Sequence, residues 1–358
     1  MGARAFAVLL ALTVVWAPAR AASAPVSADP AKPIRFTVSA SGDLLMHQPL
    51  LDRARANGGG DEYDFAPFFR KVRPFVAGVD LALCHVETPM GPGPPSTYPI
   101  FNTPTGLAAS IHRSGWDACD TASNHSNDQG QPGIDGTVKA LHRNHVDHTG
   151  SFRSPRASHR STIVSVHGVK IGLVAYTDGT NGISSPHSWS LNEYSAADPE
   201  AGAKAILHDA RRARRAGADA VIVNLHWGTE YASSPNSSQV RVAELLTRSR
   251  AVDVVVGQHP HVVEPIRRVN GKFVVFSEGN LVSNQSPASG QPAATQDGLI
   301  ALLDFNVRGN RVRVRRLRYV PVWTHHGDYV VLPAKPGSAS YARTVSVAGR
   351  DKRIKPWR

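Results

Sequence analysis

Five short segments of this 358-residue chain bring carboxylates, imidazoles and amides together. Asp43 and His47 stand in GDLLMH, Glu87 in CHVET, and Asn124, His125 and Asp128 in SNHSND; His226 and Glu230 follow in LHWGTE, and His259 and His261 in GQHPH. Each group comes directly after an apolar run that reads as a strand. The carboxyl ends of the strands form the ligand-binding edge of an open α/β sheet, so these groups are expected to share one rim. Their mixed nitrogen and oxygen donors suit Zn, Mn or Fe, with two adjacent ions where carboxylates bridge. Taken singly, His259 and His261 read equally as exposed loop imidazoles, His226 as a core histidine and Asp43 as the start of an Asx-turn. The ordered set carries the reading. His148, His159, His325 and His326 fall outside this pattern and read as surface residues.

The elements that would position these groups follow from hydrophobic periodicity. IRFTVSASGD, GVDLALCHVETP, AVIVNLHWG, VDVVVGQHPH and GKFVVFSEGN are apolar runs ending in polar residues. Helical patterns lie between them, from about residue 133 to 143, 201 to 217 and 237 to 250. STIVSVHGVKIGLVAYTDG reads as two strands around His167-Gly168, and residues 299–320 as a hairpin turning at Arg308-Gly309-Asn310. Strands alternating with helices indicate an α/β class with mainly parallel sheet. Segments 86–104 and 178–200 are long, rich in Pro, Gly, Ser and Asn, and of the kind that often carries function.

At the N-terminus, Arg4 precedes the apolar run Ala5–Ala17, and A-x-A sites end at Ala21 and Ala24. This is a secretory signal pattern, predicted over residues 1–24; a retained membrane anchor is the alternative. Residues 25–34 read as a linker, 35–325 as the folded domain and 326–358 as a basic, patternless tail. Localisation is therefore expected outside the cytoplasm, secreted or associated with the cell envelope. In such a compartment Cys84 and Cys119 are expected to pair, although two buried free thiols at strand ends fit the sequence almost as well. A bridge there could stabilise the fold by roughly 3–4 kcal/mol. The net charge of +12 points to an anionic partner. On a strand Arg311, Arg313 and Arg315 would share one side, which reads first as a solvated face.

The segments GDLLMH, HVETP, ASNHSNDQG, NLHWGTEY, GQHPHVVEPI and FSEGN resemble, in order, the signature segments of CapA-type poly-γ-glutamate capsule synthesis proteins. That family is similar to the calcineurin-like metallophosphoesterases. The resemblance implies a four-layer α/β/β/α sandwich over roughly residues 36–322. It also implies metal ligands at Asp43, Asn124, His226, His259 and His261, with Glu87 as the bridging carboxylate. The chain departs from the pattern in three places. His47 lies four residues after Asp43 rather than two, His85 precedes the acidic motif where many members carry Asn, and Glu278 in FSEGN replaces a residue that is often apolar. His47, His85, Glu230 and Glu278 are expected around the ligands rather than among them.

These implications lead to an exported hydrolase or transferase using divalent ions, expected as a pair, on a capsule polymer or a phosphate-containing substrate beside a membrane-bound polymer synthase. His125 is the candidate general acid, with Asp128 at its side; His125 as a ligand, or as the group that orients Asp128, is the competing reading. Two other classes remain: a non-catalytic module that holds an anionic polymer around a structural metal, and a secreted phosphoesterase or nuclease. No nucleic-acid motif or stacking aromatic run supports a nucleic-acid partner.

Overall fold

A computed structural model describes residues 33–309 and 311–357, together with Gly2. The expected signal segment 1–24 apart from Gly2, residues 25–32 of the expected linker, and the hairpin residue Asn310 lie outside the described residues. The chain begins a first sheet with β1 (Ile34–Leu44). α1 (Gln48–Asn57), α2 (Ala66–Phe69) and α3 (Arg73–Val76) lead to β2 (Leu81–Val86), and α4 (Gly106–Ser114) to β3 (Ala118–Asp120). α5 (Gly130–Arg143) then leads to β4 (Asp147–Thr149). β1, β2, β3 and β4 lie side by side and parallel.

After α6 (Pro155–Ser158) the chain builds a second sheet. β5 (Thr162–Val166) and β6 (Val169–Thr177) form a hairpin turning at His167 and Gly168, whose φ values of 48° and 80° match a type I′ turn. α7 (Pro199–Arg215), β7 (Ala220–His226), α8 (Ser237–Arg248) and β8 (Val254–Gln258) follow, then β9 (Ile266–Val269) and β10 (Lys272–Val275). The sheet order is β5-β6-β7-β8-β10-β9, parallel except at its two edge strands. The chain then returns to the first sheet through β11 (Asn280–Val282), β12 (Asp297–Arg308) and β13 (Arg311–His325). β12 pairs antiparallel with β1 and β13, and β11 pairs parallel with the end of β1.

Both faces of each sheet are covered, giving the expected four layers. On β12, Leu299, Ala301, Leu303 and Phe305 enter the core between the sheets, while Ile300 and Leu302 enter the core beneath the helices α1–α5. On β7, Ala220 and Ile222 face the inter-sheet core, and Val221, Val223 and Leu225 pack against α7 and α8. Burying each large apolar side chain stabilises the fold by roughly 1.5–3 kcal/mol. Cys84 and Cys119 are register partners across β2 and β3, with Cα atoms 4.4 Å apart, and are joined by a disulfide in the core beneath the rim.

The segment 326–358 is not the patternless tail its composition suggests. β14 (Val330–Pro333) and β15 (Ile354–Pro356) extend the first sheet on β13, and α9 (Ala339–Ala348) packs against β12 and β13. Ser338 caps α9, accepting a hydrogen bond from the Tyr341 N–H, and Arg343 clasps Asp297 at 2.6 and 3.0 Å. The two strands are too short to carry readable periodicity, and the buried Val330, Val331, Ala348 and Ile354 are diluted by surface Lys and Arg. His148, read as a surface residue, is half-buried on β4, and burial pushes it down to about 4.

Candidate metal centre

Strand register assembles the site. Asp43 near the end of β1 is level with His85 on β2 and Asn280 on β11, and His85 is level with Asp120 on β3. Four strand ends thus present a polar row at one edge of the first sheet. In the second sheet Thr177, His226 and Gln258 form the corresponding row on β6, β7 and β8. A register shift in β1 between Ala40 and Asp43 locally kinks the strand before its carboxylate. Gly42 makes the close approach possible, because a Cβ there would sit 1.8 Å from the Gly279 carbonyl oxygen. The Asp43 N–H then donates to that same oxygen at 3.2 Å.

The two rows converge on two groups of potential ligands. Asp43, His85 and His226 form one, and Asp43, Glu87 and His261 form the other; within each, the ligand atoms lie within 4.8 Å of one another. Asp43, rather than the expected Glu87, is therefore common to both. His85 belongs to the first group, not to its surroundings. Its Nε2 is 3.8 Å from Asp43 Oδ1, and its Nδ1–H donates to Asp120 Oδ1 at 2.6 Å, the carboxylate–imidazole arrangement that orients metal-binding histidines. His261 Nδ1 is 3.1 Å from Asp43 Oδ2 and 3.0 Å from Asn280 Oδ1, with its Nε2 3.7 Å from Glu87 Oε1. Asn124 Oδ1 and His259 Nδ1 both approach His226 Nε2, each at 3.0 Å. The backbone is strained at His259 and His261, with φ of 96° and 58°, which bends this loop into the site.

The donor set fits divalent cations. His85 Nε2 and both oxygens of Glu87 are buried without a hydrogen-bond partner. Buried polar atoms are rarely left unpaired, and bound ions are one way of satisfying them. Burial drives His226 well down, and burial with the His261 imidazole takes His259 to about 3, so both rings are neutral and keep a lone pair. Burial also opposes charge on His85 and His261. It is outweighed by Asp120, Asp43 and Glu87 at the first and by Glu87 and Asp43 at the second, which hold each ring up to about 9. Burial raises Glu87 to about 7. The carboxylates therefore draw positive charge to the spaces beside Asp43, where a cation can take the place of the protons.

A cavity of about 620 Å³ opens beside this centre. His125 lines it; Asp128 Oδ2 accepts the His125 Nδ1–H at 2.8 Å and the Phe101 N–H at 2.7 Å. His125 Nε2 is left toward the cavity, 3.5 Å from the Asn181 amide nitrogen, and the Phe101 ring packs edge-on with centroids 4.7 Å apart. His47 also lines the cavity but joins neither ligand group; its Nδ1 accepts the Asn284 N–H at 3.3 Å, and burial lowers it to about 4. Glu230 is exposed on the cavity lining and joins neither group, although its charge acts on His261. Glu278 lies close enough to Asp120, Asp43 and His85 for their charges to act on it. It is fully buried, accepts from Gln258 at 3.1 Å and is pushed well up by burial.

Asp120, Asn280 and Gln258 escaped the sequence reading, although Asp120 obeys the same rule of a polar residue at a strand end. The two long segments flagged for function do supply the cavity wall, through Tyr98 and Phe101 from one and Asn181 and Ile183 from the other.

The family model described as bacterial capsule synthesis protein PGA_cap matches residues 37–285. The chain belongs to this family. The matched span contains every residue of the two ligand groups and ends before β12. Among family relatives, the capsule biosynthesis protein CapA of Bacillus anthracis is 26% identical over 305 residues, covering 82% of this chain and 69% of that protein. The PGA biosynthesis protein CapA of Bacillus subtilis strain 168 is 32% identical over 166 residues, covering 46% of this chain and 42% of that protein. In fold, the chain is similar to the calcineurin-like phosphoesterase YfkN from Bacillus subtilis, with a TM-score of 0.52 and 13% identity over 88% of this chain and 96% of that one. The family and the fold agree with the metallophosphoesterase-type α/β sandwich expected from the signature segments.

Proposed function

We propose that this chain is an exported, metal-dependent hydrolase or transferase that acts on a capsule polymer of the poly-γ-glutamate type. The observation that carries the reading is the pair of buried ligand groups sharing Asp43, with orphaned atoms of His85 in one group and of Glu87 in the other. Asp43, His85 and His226, with Asn124 and His259 beside them, would hold one cation; Asp43, Glu87 and His261 would hold the other. Mn, Zn and Fe all suit such donors. When bound, the cations supply Lewis acidity toward a carbonyl or phosphoryl oxygen, so an amide or a phosphate ester is compatible with the site.

The chain's own residues supply the rest. Asp128 accepts the His125 Nδ1–H and so fixes the tautomer and orientation of the ring. This directs the proton on Nε2 toward the leaving group of a substrate in the cavity. The Asn181 amide N–H faces that same nitrogen and donates to it only while it is unprotonated. Tyr98, Ile100 and Phe101 form an apolar wall that excludes water from one side of the substrate.

Purified protein assayed on poly-γ-glutamate and on simple phosphate esters, with and without chelator, tests the reading. Turnover that disappears on chelation and returns with Mn, Zn or Fe supports it. Polymer binding without turnover under every metal condition would leave a binding protein instead.

A further inference from the structure

The cavity beside the metal centre has no Lys or Arg in its lining. An arginine-rich surface lies elsewhere, at the far end of the first sheet. β1 runs from Ile34 at that end to Asp43 at the site, a span of roughly 30 Å at about 3.3 Å per residue. Ile34 is level with Val307, and Arg308 with Arg311, so the start of β1 and the β12–β13 turn share one pole.

A depression of about 420 Å³ there is lined by Arg308, Arg311, Arg313, Arg315 and Arg353, with no acidic side chain. These five arginines are exposed and form no ion pair with any described residue. The neighbouring depression adds Arg35, Arg316 and Lys352. Its two acids, Asp80 and Asp304, are already engaged, Asp80 by His167 and Asp304 by Arg316 and Arg318. The concentration arises partly from a bulge: the β12–β13 register shifts between Asp304 and Phe305, and Arg315 and Arg316 are consecutive and both exposed.

We infer that this arginine pole docks the folded domain on an anionic lipid surface. Charge complementarity requires an anion, and three observations favour a lipid surface over a soluble polymer. The apolar run Ala5–Ala17 precedes Ile34, which stands at this end, with residues 18–33 between them, so a run retained as an anchor would tether this end beside a membrane. Ile34, 39% exposed, adds an apolar side chain beside the arginines. Docking by this pole also leaves the metal centre, at the other end of β1, facing away from the lipid. The inference is independent of the catalytic reading, because no residue of the pole belongs to the site.

The test uses the full chain and vesicles of phosphatidylcholine alone or mixed with phosphatidylglycerol, comparing wild type with Arg311→Ser/Arg313→Ser/Arg315→Ser. Each basic residue near such a surface is worth about fivefold in partitioning, so the variant should bind mixed vesicles about 100-fold more weakly. It should bind phosphatidylcholine vesicles as wild type does, which subtracts any contribution of the apolar run. Added salt should abolish the difference on mixed vesicles. Arg308→Ser/Arg353→Ser provides a second, independent loss at the same pole. Equal binding of wild type and both variants to mixed vesicles would overturn the inference. So would arginine-dependent capture of soluble poly-γ-glutamate with no arginine dependence on vesicles.

Discussion

At one end of β1, Asp43, Glu87, Asp120 and Glu278 are sealed from solvent, and the loops around them contain no Lys or Arg: residues 74–112, 114–138, 171–203, 216–240, 251–266 and 273–307 are free of both. At the other end of the same strand, arginines stand in water without acidic partners. The contrast shows two ways for a fold to carry charge. An exposed arginine is solvated and costs little to leave unpaired. A buried carboxylate must be balanced where it stands or become neutral. At the site end the balancing charge comes from imidazoles, and it is exchangeable: protons or cations can occupy the same spaces. At the basic end the balancing charge comes from outside the chain.

Four changes would break or sharpen this contrast. The largest effect is expected at His125. His125→Asn should keep the metal but lower turnover about 10²–10⁴-fold, most strongly for substrates with poor leaving groups. An undiminished rate on such a substrate would remove His125 from the acid role. Metal binding should come next. Cations that bind only the folded state stabilise it by about 2.7 kcal/mol at a hundred times their Kd, so chelator should lower the Tm and added Mn or Zn restore it. A Tm indifferent to metal would contradict the ligand assignment.

Glu264 tests the cost of a buried acid away from the ligands. It is fully buried, with Gln239 donating to one oxygen at 2.7 Å and no partner for the other, and burial raises it to about 8 from an ordinary 4.5. Between those values the unfolded chain releases a proton that the folded chain keeps. Stability from this group is thus full below about 4.5 and lost as pH rises toward 8, by at most about 1.4 kcal/mol per unit. Glu264→Gln should remove that slope and raise stability at pH 7.5 by on the order of 1–3 kcal/mol. A variant with the wild-type pH profile would show that the slope arises elsewhere. The smallest effect belongs to the basic pole: Arg311→Ser/Arg313→Ser/Arg315→Ser should shift folding stability by no more than about 0.5 kcal/mol, measured by denaturant unfolding.

Much of the site was legible because an α/β sheet delivers strand-end residues to one edge, and Asp43, Glu87, Asn124, His226, His259 and His261 each follow an apolar run. Register was not legible. Nothing in the linear order says that His85 stands level with Asp43 or that Asp120 stands level with His85, so the first looked like a bystander and the second like any polar residue. Displacement of His47 from the family spacing pointed to a lost ligand, and in the fold an imidazole from the adjacent strand, His85, stands at Asp43. The family resemblance placed Glu87 as the bridge, whereas the kink in β1 and the approach allowed by Gly42 put Asp43 between both groups. The C-terminal elements were hidden for a different reason: four- and three-residue strands derive their stability from β13 and leave little pattern of their own.

The shared position of Asp43 is the most exposed part of this account. Metal content of purified wild type, Asp43→Asn and Glu87→Gln, measured by plasma mass spectrometry after equilibration with a limiting excess of Mn or Zn, tests it directly. The account predicts two ions per wild-type chain, loss of most of both in Asp43→Asn, and loss of one in Glu87→Gln with the other retained by Asp43, His85 and His226. Wild-type metal content in Asp43→Asn would contradict it.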